Sequence, residues 1–338
     1  MLADLPILGI CGWSGSGKTA LLEALVPRLG AQSLSVAVVK HDVHGLELDR
    51  PGKDSDRLFR SGADVFLSSP EEHLSRGHQG KGPGPFPAEF SGLARRYDLV
   101  LVEGHKDTAL AKVWLLGAGE SAPPAGVPGV LAALPWDSDR LAAVSALLAD
   151  WLPDQWRKPA VFGCVLVGGR SRRMGRPKHL LTKDGRTWLE RTVELLRPLA
   201  RQVVIAGAGE VPESLALCPR LPDAPGVEGP MAGVLSAMRW APWASWLVAA
   251  CDLPDLSAGA LEWLLAARAP GVWATLPRLA GAPGVEPLLA HYDFRACALI
   301  EDLAGCGQWR LSEITASPKV FSPAPPPELA GAWRNVNS

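Results

Sequence analysis

The sequence predicts an α/β protein of two domains, and three observations support this fold class. The chain has 338 residues, more than a typical single domain contains. Short apolar runs alternate with helical patterns in both halves, which is typical of βαβ units and a mostly parallel sheet. Each half also begins with an apolar run followed by a glycine-rich loop. We therefore predict a first domain over residues 1–152, a linker over 153–159 and a second domain over 160–338.

Composition and charge limit the classes of function. The net charge of −1 gives no general attraction to nucleic acid or to an anionic membrane, so phosphate binding must be local. The six cysteines never stand at a CxxC spacing, which favours buried thiols in a reducing compartment over disulfides or a zinc site. The N-terminus lacks a signal-peptide pattern, and no apolar run approaches the roughly 20 residues of a membrane span. We expect a cytoplasmic protein without a nucleic-acid or membrane partner.

Apolar patterning predicts the elements of the first domain. Strands are expected at Ile7–Cys11, Ser35–Lys40, Asp64–Ser68 and Asp98–Glu103, with a helix at Thr19–Leu29. Two segments rich in Gly and Pro, 77–87 and 121–128, are predicted to be loops. The polar segment Trp151–Pro159 follows a helical pattern over 140–152 and carries two prolines, so we place the domain boundary there.

The second domain shows the same alternation. Strands are expected at Val161–Val167, Gln202–Ala206, Trp246–Ala250 and Gly271–Thr275, and helices at Trp188–Leu199, Ala232–Trp240 and Ala258–Ala267. Both halves open with strand, glycine-rich loop and helix, but they share no wider self-similarity. We therefore do not interpret them as an internal repeat.

A phosphate-binding loop is predicted directly after the first strand, because residues 12–19 fit the pattern G-x-x-x-x-G-K-[ST]. Glycines let backbone N–H groups converge on phosphate oxygens, and the following helix offers its N-terminal N–H groups to the same anion. The candidate nucleotide-binding residues are Gly12, Ser14, Gly15, Ser16, Gly17, Lys18 and Thr19. Lys18 would reach the β- and γ-phosphates, and the Thr19 hydroxyl would ligate Mg²⁺. Glu103 ends an apolar strand and is a candidate for a second group that orients Mg²⁺.

The first half resembles a known family. The segments GWSGSGKTALLEALVPRL, VAVVKHDVHGLELDRPGKDSDR, GADVFLSS and DLVLVEGHK are similar to MobB, the GTP-binding adapter of molybdopterin guanine dinucleotide synthesis. The resemblance covers roughly residues 5–115 and implies a P-loop NTPase-like fold. The family commonly has Phe where His105 stands, and its Pro-Lys-Ile run is here Ala111-Lys112-Val113. His41 and His44 lack a third partner, so a metal role for them rests on weak grounds.

A second glycine-bearing loop follows the strand predicted at Val161–Val167. Amides of Gly168 and Gly169 can wrap the phosphates of a nucleotide, and an arginine-rich turn that includes Arg173 follows them. Arginines neutralise a triphosphate as pyrophosphate leaves, and Lys178 can sit on the α- or β-phosphate as a point charge. The alternative is a simple glycine turn with a solvated basic patch.

Two carboxylates are further candidates in this domain. Asp252 ends the strand predicted at Trp246–Ala250, where a hard carboxylate can hold Mg²⁺ against the phosphates. The alternative for Asp252 is a strand-end residue that caps a helix. Asp223 lies in a Gly/Pro loop that leads into a helix and can approach a base or ribose, although a plain helix entry would look much the same.

The second half resembles MobA, the molybdenum cofactor guanylyltransferase, over about residues 161–338. The resemblance rests on Leu166–Lys178, Gly229–Gly233, Cys251–Pro254, Glu286–Tyr292 and Asn335–Asn337. It implies a Rossmann-like nucleotidyltransferase α/β fold. By the same resemblance, nucleotide-binding residues are Leu166, Val167, Gly168, Gly169, Lys178, Asp223 and Asp252, and substrate-binding residues are Arg310, Asn335 and Asn337. Pro177 replaces the family's usual Asp, and Ala206-Gly207 stands where a guanine-contacting Asn is expected.

These resemblances imply one reaction and leave alternatives open. A phosphate of molybdopterin, or of its Mo-bearing form, attacks the α-phosphorus of GTP in the presence of Mg²⁺, and Lys178, Arg173 and Asp252 are the expected catalytic residues. One alternative uses CTP instead of GTP. Another is a carrier whose GTP state gates cofactor delivery to molybdopterin-insertion proteins or apo-molybdoenzymes. A sugar-phosphate nucleotidyltransferase would leave the MobB-like half unexplained.

Overall fold

The computed structural model describes residues 4–40, 52, 54–62, 65–68, 73–76, 87–168, 178–183 and 185–335. Two larger β-sheets organise these residues, one built from strands before position 135 and one from strands after position 160. Two short antiparallel strand pairs lie outside these sheets. Among the helices in this part of the chain, none combines the length and apolar character needed to cross a bilayer.

The first sheet is wholly parallel. The elements of this half are, in order, β1 (Ile7–Cys11), α1 (Lys18–Ala31), β2 (Val36–Lys40), α2 (Asp54–Arg60), β3 (Val65–Ser68), β4 (His73–Arg76), α3 (Pro87–Ala94), β5 (Leu99–Glu103), β6 (Lys112–Leu115), β7 (Val130–Leu134) and α4 (Arg140–Arg157). The strand order is β2-β5-β1-β6-β7, and β3 pairs separately with β4. Ile10 of β1 lies in register with Glu103 of β5, so the two strands end side by side.

Helices cover both faces of this sheet, which explains why β1 and β5 are continuous apolar runs that are buried along their whole length. On one face, Leu8 belongs to a core cluster with Leu25 of α1 and Leu148 of α4. On the other face, Ile7 clusters with Phe90 of α3. The predicted α/β architecture of the first half is therefore confirmed.

The second sheet is mixed. Its half contains β8 (Val161–Leu166), β9 (Thr182–Lys183), β10 (Arg186–Thr187), α5 (Trp188–Leu196), β11 (Gln202–Ala206), β12 (Arg220–Leu221), α6 (Pro230–Trp240), β13 (Ser245–Ala250), α7 (Ala258–Ala266), β14 (Ala274–Thr275), β15 (Leu289–Tyr292), α8 (Ala296–Gly305) and β16 (Val320–Phe321). The order is β12-β11-β8-β13-β15-β14-β16, with β9 and β10 paired apart. The first four strands are parallel, and β15 runs antiparallel to β13 and β14. Helices α5 and α7 bury side chains against one face, and α6 and α8 against the other.

The structure corrects several boundaries that the sequence predicted. The helix expected at Trp188–Leu199 ends at Leu196. Helix α4 continues to Arg157, five residues beyond the expected end at Leu152, so most of the predicted linker 153–159 is helical. Pro153 stands inside this helix. The strand expected at Gly271–Thr275 is only Ala274–Thr275, because Gly271 has a φ of 84° and does not fit a strand.

The two halves contact each other through a buried polar cluster at the amino end of β5. Asp98 is fully buried, and its carboxylate accepts hydrogen bonds from Ser35 Oγ at 2.8 Å and from Trp273 Nε1 at 2.6 Å. Lys319 forms an ion pair with the same carboxylate. Arg295 Nε donates to the Tyr97 carbonyl at 3.2 Å. Two residues of the second half are therefore fixed to one carboxylate of the first.

The position of this contact shows which edge of each sheet lies next to the other half. Trp273 precedes β14 and Lys319 precedes β16, and the register places both at the edge where β8 and β13 begin. Asp98 likewise lies where β5 begins. The halves thus meet at their amino edges, and the carboxyl edge of each sheet lies one strand length away from the contact, roughly 17–20 Å for five or six residues.

Candidate functional site

The loop between β1 and α1 has the backbone that a phosphate-binding loop requires. Gly12, Gly15 and Gly17 have φ values of 148°, 76° and 83°. A Cβ at Gly12 would lie 2.4 Å from Ser16 Oγ and 2.6 Å from the Leu115 carbonyl oxygen, so a larger residue does not fit. Only glycine takes this path without strain.

Two predicted side chains of this loop and one of β5 lie at the carboxyl edge of the first sheet. Lys18 Nζ donates to the carbonyl oxygens of Gly12 at 3.1 Å and Trp13 at 2.8 Å, so its amine lies across the loop. Thr19 Oγ1 donates to both carboxylate oxygens of Glu103 at 3.2 Å. A hydroxyl and a carboxylate that were expected to act on the same metal ion are thus neighbours, although 84 positions separate them in the chain.

Neighbouring elements brace the loop. Arg140, the first residue of α4, donates from Nη1 to the Ser16 carbonyl at 2.7 Å and from Nη2 to the Leu116 carbonyl. Its Nε donates to the Pro135 carbonyl at 2.9 Å. One guanidinium therefore joins the phosphate loop to the ends of β6 and β7, and its fork geometry suits this task.

The segment after Glu103 is held by a buried lysine. Lys112 of β6 is fully buried, and its Nζ donates to the carbonyls of Lys106 at 2.7 Å and Thr108 at 2.6 Å. Burial lowers the pKa of the Lys112 ammonium. The Lys106 ammonium lies 4.6 Å from the centre of the Trp13 ring, and Trp13 also packs edge-on against Trp114 at 5.9 Å. Trp13 is therefore a packing residue at the rim of the loop. His41 and His44 lie outside the described residues.

The second candidate site lies at the carboxyl edge of the second sheet. Leu166 of β8 is in register with Ala206 of β11 and with Ala250 of β13, so these three strands end at the same level. The Cys251 amide donates to the Leu166 carbonyl at 3.3 Å, which brings Asp252 next to the residues that follow β8. Gly168, with a φ of 134°, begins the predicted phosphate loop there. The parallel register thus unites segments far apart in sequence.

Close packing at this edge requires a glycine directly after β11. Gly207 has a φ of 107°, and a Cβ added to it would lie 1.9 Å from the Val167 carbonyl oxygen. No side chain fits there, so position 207 requires glycine. In α6, a Cβ at Gly233 would lie 2.7 Å from Leu166 Cδ2 and 3.7 Å from Asp223 Oδ1. Asp223 therefore lies close to Leu166 and to the first turn of α6.

Some predicted residues lie outside the described part of the chain. Gly169, Arg173 and Asn337 are among them, and the side chain of Lys178 is not described. The backbone of Lys178 begins a short 3₁₀ turn that ends at Leu180. The roles of these four residues stay predictions.

A groove of about 510 Å³ opens next to the N-terminus of α6. It is lined by Glu228, Gly229, Gly307, Gln308, Trp309, Arg310 and Glu313. Arg310, a predicted substrate-binding residue, therefore borders a space large enough for a small organic ligand.

The C-terminal segment is tied to the carboxyl edge. Trp333 Nε1 donates to the Leu289 carbonyl at 2.9 Å, and Leu289 pairs with Ala249 of β13. Asn335, two residues further on, is exposed. The segment before β15 contains Glu286, and burial raises the pKa of its carboxyl group. The tail and the start of β15 thus lie at the same edge as Asp252.

Comparison with known proteins assigns both halves. Residues 7–131 match the family model for molybdopterin guanine dinucleotide synthesis protein B, and residues 163–317 match the model for the MobA-like NTP transferase domain. The chain is 35% identical over 122 residues to the molybdopterin-guanine dinucleotide biosynthesis adapter protein of Escherichia coli, covering 34% of this chain and 69% of that protein. It is 35% identical over 162 residues to the probable molybdenum cofactor guanylyltransferase of Opitutus terrae, covering 47% of this chain and 79% of that protein. The chain belongs to both families.

A third relative is named as a bifunctional protein. The molybdenum cofactor biosynthesis bifunctional protein of Synechocystis is 32% identical over 134 residues, an alignment that covers 39% of this chain and 39% of that protein. The alignment therefore spans less than half of the bifunctional protein. We call β1 to α4 the adapter half and the chain from β8 onward the transferase half.

The contacts of Arg140 around the phosphate loop of the adapter half can be tested by mutation. Arg140→Ala removes three backbone contacts around the phosphate loop, and we expect it to weaken GTP binding at this site at least tenfold, since charge-assisted hydrogen bonds contribute about 1.5–3 kcal/mol each. Arg157→Ala is the matched control, because this arginine lies on the same helix, is exposed and pairs only with Asp154 among the described contacts. Calorimetric titration with GTP and Mg²⁺ measures both. Equal affinities of the two variants would show that Arg140 does not brace the loop.

Proposed function

We propose that the transferase half transfers GMP from GTP to molybdopterin, or to its Mo-bearing form, and releases pyrophosphate. The observation that carries this proposal is the convergence of Gly168, Asp223 and Asp252 at the end of aligned parallel strands. Ligands of open α/β sheets bind at this edge. Relatives of this half carry the name molybdenum cofactor guanylyltransferase.

Mg²⁺ fits the oxygen donors of both sites. Among the described residues, no cluster of three or more His, Cys, Asp or Glu side chains could enclose a metal ion. Mg²⁺ does not need such a cluster, because it typically uses one or two carboxylates together with substrate phosphates and water. Asp252 would hold it in the transferase half, and Thr19 with Glu103 in the adapter half. When bound, the ion neutralises charge on the phosphates.

The residues of the transferase half then position and stabilise the reactants. An oxygen of the pterin's terminal phosphate forms a bond to the α-phosphorus of GTP, while the bond from that phosphorus to the bridging β-oxygen breaks. The Gly168 and Gly169 amides bind the nucleotide's phosphates, and Arg173 and Lys178 offset the charge that develops on pyrophosphate. Asp223 is the proposed contact to the ribose or base, and its position near Leu166 at the carboxyl edge supports this role. A phosphate monoester is already a nucleophile near neutral pH, so the reaction needs no strong general base.

The groove beside α6 supports a site for the second substrate. Arg310 can pair with the terminal phosphate of molybdopterin, and Glu228 and Glu313 can accept hydrogen bonds from the N–H donors of a pterin ring. Asn335 and Asn337 are proposed to contact the same substrate from the C-terminal segment.

We further propose that the adapter half binds GTP at residues 12–19 without consuming it for the transfer. Support comes from the arrangement of the two sheets, whose carboxyl edges both face away from the contact at Asp98. A nucleotide bound at one site is therefore not handed directly to the other. Apo-molybdoenzymes or insertion proteins are the proposed partners of this half, and 153–159 is the proposed boundary between the domains.

Pyrophosphate release tests the reaction. The purified chain is incubated with molybdopterin, Mg²⁺ and each of GTP, CTP, ATP and UTP in turn. We expect release with GTP that depends on the pterin. Release with CTP alone would identify a cytidylyltransferase instead, and no release with any nucleotide would contradict a transferase.

A further inference from the structure

The segment that follows β11 touches both ends of the predicted phosphate loop of the transferase half. We call this segment, Gly207–Glu210, the bracket. At the start of the phosphate loop, Gly207 packs directly under the Val167 carbonyl, and a Cβ on Gly168 would lie 3.8 Å from the Ala208 carbonyl oxygen. The bracket therefore fixes where the phosphate loop begins.

At the other end of the loop, His179 fixes the bracket to the 3₁₀ turn that Lys178 begins. The His179 side chain is buried, at 5% exposure, and its Nε2 lies 2.9 Å from the Glu210 carbonyl oxygen. A carbonyl oxygen can only accept, so Nε2 carries the hydrogen and donates it. Burial of the ring together with this hydrogen bond gives His179 a single position.

Gly209 leaves the space that the ring occupies. A Cβ at Gly209 would lie 2.9 Å from His179 Cε1 and 3.1 Å from Nε2, closer than van der Waals contact allows. The backbone of Gly209 is not in the left-handed region, so alanine is acceptable there on conformational grounds. The glycine at this position is thus explained by the imidazole ring alone.

We propose that His179 is a positioning residue of the transferase site, which holds the backbone of Lys178 at a fixed distance from Gly168 through the bracket. The inference rests on the proposed function, in which Lys178 acts on a phosphate of GTP. A lysine ammonium is a point charge whose effect depends on its distance from the phosphate. Misplacing a catalytic group by about 1 Å can lower a rate up to about a hundredfold.

A double-mutant cycle on the full chain tests the inference. We expect His179→Ala and Gly209→Ala each to lower kcat for pyrophosphate release about tenfold, within the loss that such misplacement causes. We expect the double variant to be no slower than the slower single variant, because the added methyl group then meets an empty space. Independent effects would instead multiply to about a hundredfold. A multiplicative result, or a normal kcat for His179→Ala, would overturn the proposal.

Two further variants separate positioning from a loss of folding. His179→Gln retains an N–H donor of similar reach, and we expect it to recover most of the kcat that His179→Ala loses. Gly92→Ala is the matched glycine control, because Gly92 lies in α3 with open space around its Cβ position and should leave kcat unchanged. A His179→Gln variant as slow as His179→Ala, with both at the wild-type Tm, would contradict the role of the hydrogen bond.

GTP affinity distinguishes a failure of this inference from a failure of the proposed reaction. In a Lys18→Ala background, which removes binding at the adapter half, we expect His179→Ala to raise the remaining Kd for GTP about tenfold. If the Kd for GTP rises in this way but the chain releases no pyrophosphate, the proposed reaction is wrong and the positioning role is supported. If the wild type releases pyrophosphate and His179→Ala has an unchanged kcat and an unchanged Kd for GTP, the positioning role is wrong and the proposed reaction stands.

Discussion

Asp252→Ala is expected to lower pyrophosphate release about a thousandfold at saturating Mg²⁺, with the fold intact. Asp252 follows β13 at the edge where Gly168 and Asp223 converge, and it is half-buried. A carboxylate at this position is the proposed protein ligand of the ion that neutralises the triphosphate. Losing one preorganised electrostatic group in an active site typically costs about 10²–10³ in rate. Single-turnover pyrophosphate release measures the loss.

Asp255 offers the matched control for this prediction. It lies three residues further along the same loop, and its side chain is exposed. We expect Asp255→Ala to release pyrophosphate at the wild-type rate and with the wild-type Mg²⁺ dependence. An Asp252→Ala variant that reaches the wild-type rate as Mg²⁺ is raised would rule out the proposed role of this carboxylate.

Asp98→Ala should cause the largest loss of stability. Asp98 is fully buried and satisfies Trp273 Nε1, Ser35 and the Lys319 ammonium at the contact between the halves. Removing one partner of a buried ion pair leaves the other charge without compensation, and this typically costs about 3–5 kcal/mol in the free energy of unfolding. Urea unfolding followed by tryptophan fluorescence measures the change, and Trp273 lies at the contact itself.

An exposed aspartate serves as the comparison. Asp154 forms a surface ion pair with Arg157 at 3.5 Å, and its side chain is 73% exposed. We expect Asp154→Ala to change the free energy of unfolding by less than about 1 kcal/mol, as surface ion pairs do. An Asp98→Ala variant as stable as Asp154→Ala would mean that the polar cluster does not hold the halves together.

Much of the fold follows from local sequence patterns. The strands β1, β5, β8 and β11 are continuous apolar runs, and each was predicted to within a residue because strands buried on both faces show little alternation. The first glycine-rich loop could be predicted for a similar reason, since its glycines lie between β1 and α1, which are adjacent in the chain.

Other elements have no such local signal. Strand β7 has the sequence VLAAL with partial burial, and β6 contains the charged residue Lys112, whose amine is buried because carbonyls of the preceding loop accept its hydrogen bonds. Neither strand was predicted. Helix α4 was predicted too short because Pro153 reads as a helix end, although it stands inside the helix.

The supporting residues of the sites depend on long-range contacts. Arg140 reaches Ser16 across 124 positions, His179 reaches Glu210 across 31, and Asp98 reaches Trp273 across 175. Local sequence patterns indicate which residues carry chemistry but not which residues hold them in place. Glu103, which accepts a hydrogen bond from Thr19, could be predicted from the sequence, because a carboxylate at the end of an apolar strand is itself a signal.

We propose that the chain has two separate triphosphate sites and that only the second one cleaves its nucleotide. The most direct test counts the GTP molecules bound per chain by equilibrium dialysis and measures pyrophosphate release in wild type and in Lys18→Ala. We predict two bound GTP molecules in the wild type, one in Lys18→Ala, and equal release by both proteins. A single GTP in the wild type, or the loss of release when Lys18 is replaced, would contradict the claim.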